Sequence, residues 1–314
     1  MRLIVTGASG PFGRGVTQRL LEHGVSPRDL VLVTRKPQTL AERRAQGADV
    51  RYGDFDDYDG MVKAFSGGQK MLMISALKVG FRIPQHTRAI AAAVSAGVKH
   101  VLYTSFIGKE PGNPSLAVVD HRGTEQALRE SGLIWTSLRN AQYADAMIDA
   151  AAPMVIGRGR WQAATGSGRM PLVTRADCID AAAAAMLASG TENRIYNITG
   201  PQGVTYPEVA SLLAEFSGAS IQWVDCTAAQ AYAEFDSMGV PRTAAPDESV
   251  DGIPWSSDDM VSMQIGIAGG WFDIASNDVE ILTGRKPQSF RDYANERSAD
   301  LRALATRVEP KSWS

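Results

Sequence analysis

The residues best suited to chemistry in this chain of 314 residues come almost at its start. Gly7-Ala8-Ser9-Gly10-Pro11-Phe12-Gly13 lies between a first apolar strand and a first helix. Glycines at such a turn let the backbone bend sharply, approach a pyrophosphate and pack helix on strand, while the N–H groups of the helix N-terminus face negative charge. The spacing is GxxGxxG, not GxGxxG, so the reading rests on the position between strand and helix. It makes Thr6, Gly7, Ser9, Gly10, Pro11, Phe12 and Gly13 candidate binders of a dinucleotide pyrophosphate. A turn that is glycine-rich for packing alone is the alternative.

The end of the second strand decides which dinucleotide fits, because an acid there would bond a ribose diol and repel a 2′-phosphate. The chain instead reads Val33-Thr34-Arg35-Lys36. Arg35 offers a planar fork to a phosphate and Lys36 adds charge, which points to NADP(H); a solvated basic pair is the plainer reading. Asp54 and Phe55 follow the third strand, where the acid can accept from an adenine amino group and the ring can pack on the base, or the Asp can cap a helix. Ser75, Ala76 and Leu77 close the fourth strand with residues small enough to let a cofactor lie across the sheet edge.

These residues need a scaffold that brings strand ends together. Apolar runs at Leu3 to Thr6, Leu30 to Thr34, Asp49 to Tyr52, Lys70 to Ser75, Lys99 to Ser105 and Ile134 to Leu138 read as strands. Helices start between them near Pro11, Pro37, Asp56, Pro84 and Ala117. Strands so apolar, separated by helices, predict an α/β fold: a doubly wound parallel Rossmann sheet covered on both faces. After Asn140 the alternation loosens. A short strand near Trp161, a helix from Arg175 to Leu187 and a last sheet strand from Arg194 to Ile198 are followed by a mostly helical stretch with a strand at Ser220 to Val224. The expected plan is a dinucleotide-binding domain over 1–150 and a smaller mixed α/β lobe over 151–314, of which about 174–200 returns to the sheet. The stretch from Thr243 to Trp255, with Pro246, Gly252 and Pro254, reads as a linker or loop, and 243–275 as a lid.

Composition narrows the rest. A hydrophobic content of 44% allows a large core, and a formal net charge of −2 gives no general attraction to nucleic acid or anionic lipid. No apolar run approaches the roughly 18 residues of a membrane span. Met1 to Thr6 runs straight into a strand without the features of a secretory signal, and Cys178 and Cys226 are too few for a disulfide framework, so the cytoplasm is the expected compartment. His23, His86, His100 and His121 have no metal-ligand spacing with either cysteine, and no metal is expected. Gly166-Ser167-Gly168 is not a nucleophile elbow, and the chain has no P-loop.

The glycine pattern, Arg35, Asp54, the run Tyr103-Thr104-Ser105, Gly97-Val98-Lys99-His100-Val101 and Leu138-Arg139-Asn140-Ala141-Gln142-Tyr143 resemble the NmrA-like, atypical branch of the short-chain dehydrogenases. The likeness runs on through Tyr196-Asn197-Ile198-Thr199 and Gly203 to Gly218, and is strongest to the NAD(P)H:quinone oxidoreductase and triphenylmethane reductase group. It implies that Thr104, Ser105, His121 and Asn140 also line the cofactor. It also exposes a departure. Typical members carry a Tyr and, four residues later, a Lys on the helix after the fifth strand, the Lys lowering the Tyr pKa for proton transfer to a carbonyl. Aligned on Glu125, those places hold Ala117 and His121.

Three functions follow from that gap. Quinones, dyes and other conjugated acceptors delocalise the charge a hydride brings, so an NADPH-dependent reductase of such small aromatic molecules needs a strong acid least. A non-catalytic, NAD(P)-sensing regulator of the NmrA type is the second. A benzylic ether or isoflavonoid-type reductase is the third, although those place a Lys on this helix and here Lys109 lies in the preceding loop. His121, between Asp120 and Glu125, could bond the nicotinamide ribose or donate a proton; Asn140 and Tyr143 should meet nicotinamide and substrate, with Tyr143 the substitute acid. His121 could instead be a helix histidine satisfied by a neighbouring carboxylate, and Tyr143 could simply pack. Trp255, Met260, Met263, Trp271 and Phe272 could wall an aromatic pocket or simply fill the small lobe's core. A monomer or homodimer is expected.

Overall fold

A computed structural model describes residues 1–108, 111–244 and 256–307. Seven strands, β1 (Leu3–Val5), β2 (Leu30–Thr34), β3 (Asp49–Tyr52), β4 (Lys70–Met73), β5 (His100–Phe106), β6 (Ile134–Asn140) and β9 (Arg194–Ile198), form one sheet in the order β3-β2-β1-β4-β5-β6-β9. Every pairing in it is parallel. Parallel neighbours need crossovers, and here these are α1 (Pro11–Glu22), α2 (Ala41–Ala45), α3 (Tyr58–Phe65), α4 (Arg82–Ser95) and α5 (Leu116–Glu130). The strand order reverses between β1 and β4, so the crevice at their C-terminal ends is the switch point where ligands bind in such sheets.

Alternation along the strands sorts the core into two layers. Leu3, Val5, Leu30, Leu32, Leu72, Leu102 and Leu138 face α1 and α8 (Arg175–Leu187), while Ile4, Val31, Val33, Met71, Met73, Val101 and Tyr103 face α3, α4 and Leu128 of α5. Some strand ends differ from expectation for a chemical reason. Ile74 N–H donates to Thr6 Oγ1 at 3.0 Å and Ser75 N–H to Thr104 Oγ1 at 2.9 Å, so side chains take over the ladder and β1 and β4 end early. In the opposite sense β6 continues to Asn140, paired with Phe106 on one side and Ile198 on the other.

After β6 a continuous helical run comprises α6 (Ala144–Ala146), a π turn (Met147–Ala151) and α7 (Ala152–Arg158), so residue 150 lies inside a helix. Next come β7 (Arg160–Ala163), β8 (Arg169–Met170) and then α8, which packs on α1. Beyond β9 lie β10 (Val204–Thr205), α9 (Tyr206–Ser217), β11 (Gln222–Asp225), α10 (Ala228–Ser237), α11 (Ser257–Ala268), α12 (Asp278–Thr283), α13 (Phe290–Glu296) and α14 (Ser298–Arg307). Two small sheets, β7 with β11 and β8 with β10, serve this part of the chain. Most of the stretch read as a linker, with Pro246, Gly252, Pro254 and Trp255, lies outside the described residues, as does Lys109. No helix of the described residues is long and apolar enough to cross a membrane.

The sheet's opposite edge is also polar but closed. Lys70 is buried and donates through Nζ to Ala185 O at 3.0 Å and Ala188 O at 3.3 Å, satisfying carbonyls at the end of α8. Nearby His100 shares a 2.7 Å hydrogen bond with Thr136, and burial, aided by Lys70, depresses it to about 4. On the helix side Arg285 bonds Asp177 at 2.6 Å and also Asp180, which Arg19 of α1 holds at 2.6 Å, tying the C-terminal segment to α8 and α1.

Asp177 is 2% exposed, so Arg285→Ala leaves a buried carboxylate short of its cation. A loss of about 1–3 kcal/mol is expected, read as a lower urea midpoint at unchanged slope; an unaltered midpoint would show the pair to be incidental.

Candidate active site

At the switch point the glycine turn adopts the geometry a bound anion needs. Gly7 has φ +58°, a left-handed value that favours glycine, and Gly10 N–H donates to Gly7 O at 3.0 Å. A Cβ on Gly13 would lie 2.5 Å from Gly7 O and 2.7 Å from Ala8 Cα, so the helix can sit this close only with glycine there. Gly10 caps α1 without a side chain, Pro11 fills its first turn and no acid stands there, which leaves the N–H groups facing outward for an anion. Ser9 Oγ and Thr34 Oγ1 share a 2.6 Å bond that joins this turn to the end of β2.

Arg35 and Lys36 are exposed just beyond β2, and neither side chain bonds another described residue. Arg14, which the sequence reading passed over, donates to Ser9 O at 2.8 Å and Thr39 O at 2.9 Å, placing a third cation between the two loops. Asp54 Oδ1 accepts from Asp56 N–H at 3.1 Å in a local turn, while the cap of α3 is Asp57. Phe55 packs edge-on to His86, with ring centres 5.9 Å apart.

Ser75, Ala76 and Leu77 form the start of the loop after β4, and Leu77 is 69% exposed. Thr104 braces this loop through Ser75, as above. Ser105 is instead committed inward: its hydroxyl donates to Glu125 Oε1 at 2.7 Å. Glu125 is itself buried between Arg139, at 2.6 and 2.8 Å, and Arg129 at 2.8 Å. Burial opposes its ionisation, but the bonds from Arg139 and Ser105 and the Arg129 charge hold its carboxyl below the ordinary range.

His121 is buried, stacked on Phe106 at 5.9 Å, and lies 2.7 Å from the Tyr103 hydroxyl through Nδ1 and 3.2 Å from Arg82 through Nε2. An arginine can only donate, so Nε2 accepts and the ring proton sits on Nδ1. Burial first, then the charge of Arg82, hold His121 well below the ordinary histidine range, and it is neutral at physiological pH. Asp120 points away, accepting from Gly80 N–H at 2.6 Å.

Asn140 and Tyr143 come together: Asn140 Nδ2 donates to Tyr143 Oη at 3.1 Å, and Arg175 lies over the Tyr143 ring at 5.6 Å. Burial, chiefly, raises the Tyr143 phenol above its ordinary range. Asn140 Oδ1 is buried and has no partner among the described residues. The pair therefore offers one free acceptor and one free hydroxyl proton, and flipping the amide exchanges their places without changing the sum. Of the aromatic wall, Phe272 is buried edge-on to Phe106 at 5.6 Å, Met263 and Trp271 pack on the same core, and Met260 joins a separate cluster with Phe235 and Val261. Trp255 lies outside the described residues.

An uncapped helix N-terminus, three cations around the end of β2 and a buried amide with an unpaired oxygen at the end of β6 suit the phosphates and the far ring of a dinucleotide laid along one sheet edge. The chain belongs to the NAD(P)H-binding family, whose sequence pattern matches residues 7–187. Among known proteins it is similar to quinone oxidoreductase 2 of Escherichia coli (strain K12), 33% identical over 272 residues, 86% of this chain and 90% of that protein. The crystal structure of the Escherichia coli NADPH-dependent quinone oxidoreductase complexed with NADPH superposes with a TM-score of 0.83 at 30% identity, covering 94% of this chain and 99% of that one. The Citrobacter sp. triphenylmethane reductase complexed with NADP(H) gives 0.80 at 26%, covering 95% and 100%. The Rossmann fold and the NmrA-like resemblance to the quinone and triphenylmethane reductase group are borne out.

One acid near this edge titrates close to neutrality. Asp259 of α11 is buried, with Oδ1 unpaired among the described residues; burial raises it to about 6, Asp120 adds to the rise and Arg82 opposes it. A carboxyl raised by folding holds its proton better in the folded chain, so its contribution to stability is lost as pH rises from about 4 to about 6. Asp259→Asn is expected to stabilise the protein by about 1–3 kcal/mol near neutral pH, with the gain vanishing toward about pH 4. Thermal melts across that interval test this; a gain independent of pH would contradict it.

Proposed function

We propose that this protein is an NADPH-dependent reductase that passes hydride to a flat conjugated or aromatic acceptor such as a quinone or a dye. The observation that carries the reading is the state of the candidate proton donors. His121 is a neutral ring whose Nε2 accepts from Arg82, and the phenols of Tyr103 and Tyr143 are both raised by burial. None of the three is poised to give up a proton near neutral pH. The helix α5 contains neither Tyr nor Lys, and the family resemblance sets Ala117 and His121 where that pair is usual. An acceptor that spreads the arriving charge over a conjugated system needs such an acid least.

NADPH, when bound, supplies the hydride. The chain's own part is to hold and to exclude water. The first turn of α1 binds the pyrophosphate, Arg35, Lys36 and Arg14 meet the 2′-phosphate, and Asp54 with Phe55 receives the adenine. Leu77 gives the cofactor an apolar floor. Asn140 and Tyr143 present their free acceptor and donor to an amide or carbonyl at the reacting end, and Phe106 supplies an aromatic surface beside His121. In this scheme residues 1–150 form the cofactor-binding domain, and 151–314 a substrate lobe that lends about 174–200 back to the sheet. The relatedness to a quinone oxidoreductase and a triphenylmethane reductase supports the substrate class.

NADPH absorbance followed with quinones, triarylmethane dyes and aromatic enones, and again with NADH, tests the reading. Acceptor-dependent oxidation favouring NADPH is expected, and Arg35→Ala should cut that preference by about 10- to 100-fold, the worth of a charge-assisted phosphate contact. Tight NADP(H) binding without turnover on any acceptor would instead favour the NAD(P)-sensing regulator.

A further inference from the structure

Both backbone polar groups of one residue in the loop after β4 are gripped from the protein interior. Ala76 N–H donates to His86 Nε2 at 2.9 Å, and Ala76 C=O accepts from Arg82 Nε at 2.7 Å. The same guanidinium donates to Leu77 O at 3.0 Å and to His121 Nε2 at 3.2 Å. His121 Nδ1–H then donates to Tyr103 Oη at 2.7 Å, and Tyr103 Oη lies 3.4 Å from His86 Nδ1. Thr124 Oγ1 lies 2.9 Å from His86 Nδ1 and donates to Asp120 O at 3.0 Å.

Two donors fix the ring tautomers in this circuit. A backbone N–H on His86 Nε2 puts the His86 proton on Nδ1, where it faces Thr124 Oγ1 at 2.9 Å and Tyr103 Oη at 3.4 Å. The contacts thus form a ring that leaves Ala76 at its carbonyl, passes through Arg82, His121, Tyr103 and His86, and returns to Ala76 at its N–H, with Thr124 bonded to His86 from the side. His86, Tyr103, His121 and Thr124 are buried and Arg82 is half-buried, and both histidines are held neutral by burial, His86 at about 3. Asp120 of α5 and Asp259 of α11 face the Arg82 charge without bonding it. On the outer side of the same loop Leu77 stands 69% exposed.

We propose that Arg82 is the positioning residue of the cofactor site: by closing this ring it fixes the peptide planes of Ala76 and Leu77 before NADPH arrives. The inference rests on the reductase reading above, because it takes the exposed face of this loop as the cofactor's floor. An apolar side chain on an immobilised loop binds a ring without first ordering the backbone beneath it, which is where preorganisation gains affinity. Arg82 touches neither hydride nor acceptor, so its effect belongs to NADPH binding and not to the acceptor.

NADPH binding to the purified full-length protein, followed by fluorescence with no acceptor present, separates this inference from the activity. Arg82→Gln is expected to bind NADPH about tenfold more weakly, with the KM for a quinone unchanged. ¹⁵N NMR of the histidine rings should show His121 passing from the single Nδ1–H tautomer to a mixture, which a general loss of packing would not produce. Tyr103→Phe removes only one oxygen and cuts the ring elsewhere, so it should give the same two changes, and the double variant should bind no more than about twofold more weakly than either single one. Unchanged NADPH affinity and tautomer in either folded variant, or losses that simply add, would overturn the ring's role. Wild-type protein that fails to bind NADPH would overturn the reductase reading and this inference together.

Discussion

The contact between α1 and the turn before it leaves no room for a single methyl group. With a Cβ on Gly13 only 2.5 Å from Gly7 O, the helix axis is set by backbone against backbone, and its N-terminus is aimed at the crevice between β1 and β4. The position then propagates. Gly15, two residues on, lies so close to Ile179 that α8 must nest against α1, and α8 carries the acids that anchor Arg19 and Arg285. One close approach near the start of the chain thereby locates a helix 160 residues later and the segment beyond α12, because packed interiors transmit displacement more readily than they absorb it.

Two buried polar assemblies stand side by side on α5 and obey opposite electrostatic rules. Glu125 is charged, and three groups from β5, β6 and α5 converge to keep it so. One turn away His121 is neutral because it is buried, and a cation pointing at it reinforces that state. A buried charge must be paired, whereas a buried neutral ring need only have its donor and acceptor matched. The ion cluster joins β5 to β6, and the neutral ring joins β5 to the loop after β4, so the C-terminal ends of β4, β5 and β6 are fastened from beneath by different means.

Much of this was legible in the order of residues. Apolar runs of strand length separated by helices define the parallel sheet, and the glycine turn could be placed because its neighbours are a strand and a helix. Arg35, Asp54, Asn140 and Tyr143 could be named because each stands at a strand end or within three residues of one. What could not be read depends on partners far apart in the chain. Ser105 looks like a site hydroxyl until Glu125 is seen to claim it, and Asp54 looks like a cap until Asp57 takes that place. Arg82 gave only faint signals: it lies four residues before His86 on one helix, as Asp120 lies four before Thr124 on another, and Tyr103 sets in the middle of a strand a hydroxyl that must find a partner.

The neutral histidines have a cost that falls on the whole fold. His86 and His100 are depressed to about 3 and about 4, and His121 lies well below its ordinary range, so at mildly acid pH the folded chain leaves all three unprotonated. The unfolded chain would protonate them from about pH 6.5 downward, and unfolding there takes up about three protons, one of which Asp259 gives back as its carboxyl is released. Protons thus act as a ligand of the unfolded state. The polar contacts that hold the loop after β4 also make the chain a competitor that loses to acid well before its ion-paired carboxylates are neutralised.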